Sequence, residues 1–129
     1  MARSAVRGRY GAGVDRITGL YEAIDARDAD RLAALLAPDV DWPEPMGGGR
    51  LRGRDAVRQH WQDQWAVLDV AMAPRQTRVL PDGRVEVLVE VVVRDADRDL
   101  LGGSTVLHTH TLAGDLVARM DVGDPLGPL

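Results

Sequence analysis

The chain has no cysteine, no lysine and no asparagine among its 129 residues. Without cysteine there is no disulfide framework, no thiolate nucleophile and no cysteine-ligated metal. Without lysine, arginine supplies all 16 basic charges, a bias that fits high-GC codon usage better than selection for arginine chemistry. A formal net charge of -4 with no basic stripe argues against nucleic-acid binding. No apolar run approaches the roughly 18 residues of a membrane span. The first thirteen residues carry Arg3, Arg7 and Arg9 but no apolar segment. They do not read as a secretory signal, so a mobile arm and a cytoplasmic protein are expected.

What is present fits one globular domain. A chain of this length holds a single core, and 45% hydrophobic residues is ordinary for a soluble protein. Val14, Ile17, Leu20, Tyr21 and Ile24 recur at helical spacing and predict a helix over about 14–27. Asp28 is placed to cap a second helix carrying Leu32, Leu35 and Leu36, which Pro38 should stop. Asp39 to Trp42 suits a short strand. Glu44 lies between Pro43 and Pro45, whose rings fix the backbone, with Trp42 and Met46 beside it. A carboxylate held that way suits proton transfer. A third helix is expected over about 54–67, with Val57, Trp61 and Trp65 on one stripe and His60 and Gln64 beside it. Beyond Leu68 the period becomes two. A strand irregular around Pro74, a turn at Pro81-Asp82-Gly83 and the run Arg84 to Arg94 follow. Three helices with a long antiparallel meander describe an α+β domain. Its curved sheet would wrap the helices as a cone and leave a cavity.

The densest chemistry lies in the last hairpin, Ser104 to Val122, with two of the three histidines. Alternation puts Val106, His108, His110 and Leu112 on one face. On the returning strand it groups Val117, Arg119 and Asp121. If the two faces coincide, both imidazoles, a guanidinium and a carboxylate converge inside. Asp121 would then pair with His108, His110 or Arg119, because a buried carboxylate needs a partner. A His-x-His pair on a strand also has metal-site geometry, but the usual host of that motif is all-β, so no metal is assigned.

The order of elements, with L-L-A-P-D-V-D-W-P-E-P, G-R-L-R-G-R-D-A-V-R-Q-H-W and a closing G-D-L-V-A-R-M-D-V-G-D, resembles the nuclear transport factor 2-like superfamily, most of all its SnoaL-like branch. The resemblance spans about Val14 to Asp124. It implies the cone fold and an enclosed pocket. Ketosteroid isomerases carry a base before a proline, a slot that Glu44 fills here. They carry a proton donor on the penultimate strand, where His108 stands. Their helix tyrosine falls at Leu20, one place from Tyr21. SnoaL-like cyclases carry an acid/base aspartate on the last strand, where Asp121 stands. The Arg-x-Asp of limonene-type epoxide hydrolases is missing from V-L-V-E-V-V-V.

Residues and resemblance together lead to a cofactor-free acid/base enzyme acting on a small apolar or polyketide-like carbonyl compound, of isomerase or cyclase type. The expected catalytic residues are Asp121, His108, Glu44 and His110. Tyr21, Trp42, His60, Trp61, Trp65 and Arg119 are expected to bind substrate. A non-catalytic small-molecule-binding module of the same fold is the alternative. A homodimer through the outer sheet face is expected, since Glu86, Leu88, Glu90 and Val92 make that surface partly apolar.

Overall fold

A computed structural model describes residues 12–44 and 48–125. The expected arm up to residue 11, Pro45 and Met46, and the tail from Leu126 lie outside the described residues. The elements run α1 (Ala12–Asp25), α2 (Ala29–Ala34), β1 (Leu36–Pro43), β2 (Arg50–Arg52), α3 (Arg54–Val67), β3 (Asp69–Val79), β4 (Val85–Arg94), β5 (Leu100–Ala113) and β6 (Leu116–Gly123). This is the expected α+β cone: three helices held against one curved six-stranded sheet, ordered β2-β1-β6-β5-β4-β3.

The second and third helices start for local reasons. The Asp28 side chain accepts from the Arg31 amide at 3.0 Å, the expected cap of α2. That helix stops at Ala34, before Pro38, which instead lies inside β1. Pro38 is tolerated there because Leu36 is already paired with Val117 and the ladder is interrupted until Asp41 meets Arg119. Gly53 enters α3 at φ 94, a left-handed conformation that favours glycine, and its amide donates to Val40 O at 2.8 Å.

The sheet departs from a pure meander at one place. β1 and β6 run parallel, and the chain end is thereby drawn beside the segment that follows α2. Every other pair is antiparallel. The register between β3 and β4 shifts at Pro74/Gln76, the expected irregularity. Val85, Val87 and Val89 face inward and are fully buried, in one core cluster with Ile17, Leu20, Ile24, Leu32 and Val117. Burying such side chains is worth about 1.5–3 kcal/mol each. Among the described residues no helix is long and apolar enough to cross a membrane.

Candidate functional site

β5 is the strand that carries the site. His108 and His110, two residues apart, both turn into the core, with 2% and 0% of their surface exposed. Their register is fixed on both sides: Val87 and Val122 flank His108, while Val85 and Met120 flank His110. Tyr21 comes down from α1 to meet them. Its hydroxyl lies 2.7 Å from His108 Nδ1 and 2.9 Å from His110 Nε2. The phenol ring stacks on His108 and meets His110 edge-on, with centroids 5.8 Å apart in both cases. A buried polar group without a partner costs free energy, and here one hydroxyl serves a nitrogen of each imidazole.

Burial sets the charge state of this trio. Desolvation pushes the Tyr21 hydroxyl well above its ordinary value. It lowers His108 to about 4. It lowers His110 to about 3, with repulsion from His108 adding to the effect. At neutral pH all three are therefore uncharged. One ring atom of His110, Nδ1, is buried with no hydrogen-bond partner among the described residues.

In front of His108 lies a cavity of about 470 Å³. Trp42, Trp61, Val70, Met72, Val106 and Met120 make its apolar wall, while His60, Gln64, Ser104 and His108 supply polar atoms. Ser104 and the half-exposed Val122 mark its open side. Along the inward edge of β5, Ser104 precedes His108 by four residues, roughly 13 Å at strand rise. The space is therefore long and apolar, with a polar atom at each end. His108 uses Nδ1 on Tyr21, so Nε2 is the ring nitrogen left for an occupant.

The sequence-derived site divides into three groups. His108, Trp42, His60 and Trp61 line the cavity. Tyr21 and His110 stand behind His108 and hold it. Trp65 does not line this space. It packs against Trp61 at 5.5 Å and borders shallow surface grooves near Arg27. Glu44 is half-buried and not among the lining residues, although Pro43 directly before it is.

Asp121 and Arg119 require a correction. Asp121 sits opposite Thr109, not opposite a histidine, and points away from the core. The cause is a bulge. Thr111 pairs with Arg119 but Leu112 pairs with Val117, so Ala118 is an extra residue. Val117 is inward, and beyond Ala118 the inward positions become Met120 and Val122. Arg119 and Asp121 are thereby turned outward. There Asp121 accepts from Arg119 Nε and Nη2 at 2.9 and 3.1 Å and has Arg50 Nη1 at 3.4 Å. Asp41 closes the ring, accepting from Arg50 Nε at 2.7 Å and Arg119 Nη1 at 3.0 Å. The Arg50 hydrogen bond, with Arg119 and Arg52 nearby, holds Asp41 below the usual carboxylate range. Arg119 is raised by Asp121. This ring ties β1, β2 and β6 together where the parallel ladder is thin. It is an outer clasp, not part of the cavity.

Gln64, Ser104 and Met72 line the cavity without having been singled out as site residues. Alternation from His108 back along β5 was the signal available for Ser104. The metal-site geometry of His-x-His is used otherwise, since the two histidines turn nitrogens toward one phenol oxygen. Among the described residues no group of three His, Cys, Asp or Glu could hold a metal.

Comparisons agree with this architecture. The model of the family described as SnoaL-like domain matches residues 17–120. An NTF2-like protein of unknown function from Burkholderia pseudomallei superposes with a TM-score of 0.75 at 22% identity, over 88% of this chain and 90% of that one. A Mycobacterium tuberculosis protein in complex with estradiol-17beta-hemisuccinate gives 0.76 at 13% identity, over 86% and 92%. The epoxide hydrolase/cyclase-like enzyme SalBIII, of pyran ring formation in polyether salinomycin, gives 0.74 at 18% identity, over 84% and 87%. At these identities the likeness is one of fold. A search of curated proteins by sequence gave no match.

Proposed function

The chain belongs to the SnoaL-like domain family, and from that premise we propose a cofactor-free acid/base enzyme acting on a small apolar carbonyl compound. The reaction is of the isomerase or polyketide-cyclase type. The observation that carries this reading is the Tyr21–His108–His110 network at the inner end of an otherwise largely apolar cavity. An apolar body fills the space between the tryptophans and the valine strand, and His108 Nε2 hydrogen-bonds its oxygen. Removing a proton alpha to that carbonyl sends the electron pair toward the oxygen. The hydrogen bond then strengthens as charge develops, which lowers the barrier to enolisation. With a β,γ-unsaturated substrate the dienolate is reprotonated at the γ carbon, as in an isomerase; in a cyclase the enolate carbon attacks a second carbonyl carbon.

Two groups are candidates for the base. His60 lines the same cavity from α3. Glu44, the remaining carboxylate of the expected site, adjoins the lining residue Pro43. Asp121 is withdrawn from this role because the bulge turns it outward. Two of the similar structures fit the reading: one holds a steroid hemisuccinate and the other is named for ring formation.

A binding module without turnover is the second reading. It is favoured by one specific observation: among the described residues no carboxylate lines the cavity. Deuterium exchange separates the two. In heavy water, 2-tetralone should exchange its alpha protons faster with the protein than without it, and His60→Ala or Glu44→Gln should slow that exchange. Tight binding with exchange at the background rate supports the module and removes the enzyme. A homodimer through the outer sheet face remains part of the proposal, supported by the half-buried Leu88 and Leu107 paired across β4 and β5.

A further inference from the structure

The Tyr21–His108–His110 network has a direction that heavy atoms alone leave open. The tyrosine hydroxyl has one proton and lies within hydrogen-bond reach of two ring nitrogens, 2.7 Å and 2.9 Å away. It can donate to only one of them. For the other bond to exist, that second nitrogen must itself carry a proton and donate to the phenol oxygen.

Two arrangements satisfy this. In the first, Tyr21 donates to His110 Nε2 and accepts from His108 Nδ1. His110 then carries its proton on Nδ1, and His108 leaves Nε2 bare toward the cavity. In the second, His110 Nε2 donates to Tyr21, and Tyr21 donates to His108 Nδ1. His110 Nδ1 is then bare, and His108 carries its proton on Nε2. The buried His110 Nδ1, which has no hydrogen-bond partner among the described residues, favours the second. The first arrangement strands an N–H donor in the core, and the second strands only a lone pair. Orphaned buried N–H groups are the rarer of the two in folded proteins. The distances agree, because bonds donated by O–H are shorter than bonds donated by N–H. The shorter contact is the one to His108. Burial keeps both imidazoles neutral at neutral pH, so a single proton on each ring is the correct count.

We infer that His110 is a positioning residue: it orders a proton chain from His110 Nε2–H through the Tyr21 hydroxyl to His108 Nδ1, and so fixes His108 with its proton on Nε2. The inner end of the cavity is therefore a hydrogen-bond donor. It selects ligands whose buried end is an acceptor-only oxygen, such as a ketone, an ester carbonyl or an enolate. The ligand half of this inference rests on the function proposed above; the tautomer half does not. Bond polarisation along the chain also makes His108 a better donor than an isolated imidazole.

The test begins without any ligand. The protein is 14.0 kDa with three histidines, so long-range proton–nitrogen spectra of ¹⁵N-histidine-labelled protein at pH 7.5 can resolve every ring. Both His108 and His110 should show a protonated Nε2 and a bare Nδ1. A proton on His108 Nδ1 overturns the inference. In His110→Leu the Tyr21 hydroxyl is released, and His108 should become a mixture of tautomers. In His110→Gln a side-chain N–H can replace the lost donor, and the single tautomer should return. A pure Nε2–H tautomer in His110→Leu would overturn the role given to His110; if that variant does not fold, the parent protein and His110→Gln still decide. The ligand half is read with 1-indanone, whose polar group only accepts, against indole, whose polar group only donates. The ketone should bind on the order of tenfold tighter and shift the His108 Nε2–H resonance. Tighter binding of indole overturns the selectivity. Failure of both probes to bind, with the Nε2–H tautomer intact, counts against the proposed function and leaves the tautomer assignment standing.

Discussion

Acid should unfold this protein earlier than carboxylate titration alone would. An unfolded histidine protonates near pH 6.5. In the folded chain burial lowers His108 to about 4 and His110 to about 3. Between those values the unfolded state binds two protons that the native state refuses. Stability therefore falls as pH falls, starting near 6.5 and ending only when the folded rings titrate. Two protons correspond to about 3 kcal/mol per pH unit in the middle of that window. From pH 7 to 4.5 the loss sums to about 5 kcal/mol if both imidazoles stay dry, a large part of the ~5–15 kcal/mol a domain commands. Asp41 and Asp82 also have lowered values. Their stabilisation is present above the ordinary aspartate range and is lost as pH falls through it, so it adds to the loss only at the acid end of the histidine window. Urea titrations at pH 7.5, 6.5, 5.5 and 4.5 measure the effect. With a denaturant slope of about 2 kcal/mol/M the midpoint should drop by about 2–3 M. A midpoint unchanged from pH 7.5 to 5 would refute the reasoning, since it would mean that water or a structural shift solvates the rings.

Three further outcomes are expected. Tyr21→Phe removes the one hydroxyl that serves two buried nitrogens, so it should cost about 2–4 kcal/mol, read as a lowered melting temperature, and it should weaken ketone binding. Asp121→Asn, which loosens an outer clasp with a 44% exposed carboxylate, should leave binding and exchange unchanged and make a small, salt-sensitive change in stability; loss of activity would return Asp121 to the site. Light scattering at micromolar concentration should give twice 14.0 kDa, and a monomer mass contradicts the dimer.

How much of this was legible follows from what each signal depends on. The stripe Ile17-Leu20-Tyr21-Ile24 and the Asp28 cap depend only on neighbours along the chain, and both appear as read. His108 and His110 turn inward together because their spacing of two does not depend on pairing. Asp121 failed for the complementary reason. Its face depends on every residue between it and Val117, and one bulged alanine inverts the count. Nothing in L-V-A-R-M-D-V announces that bulge, which lies in a strand paired antiparallel with β5 and parallel with β1. β2 was missed because three residues, Arg50 to Arg52, carry no period and owe their strand to pairing with β1. Tyr21 sits on an apolar stripe; only the long-range contact with β5 shows that its hydroxyl also serves His108 and His110 behind the cavity.

The central claim is that His108 donates a hydrogen bond to a ligand oxygen at the inner end of the cavity. The carbonyl stretch of bound 1-indanone reports that bond directly, whether or not the protein turns anything over. Infrared difference spectra with ¹³C=O-labelled ketone should show the stretch of the bound form shifted to lower frequency than in hexane for the parent protein, and returned toward the hexane value in His108→Leu. A bound ketone whose stretch in the parent protein matches hexane, or is the same in His108→Leu, would contradict the account.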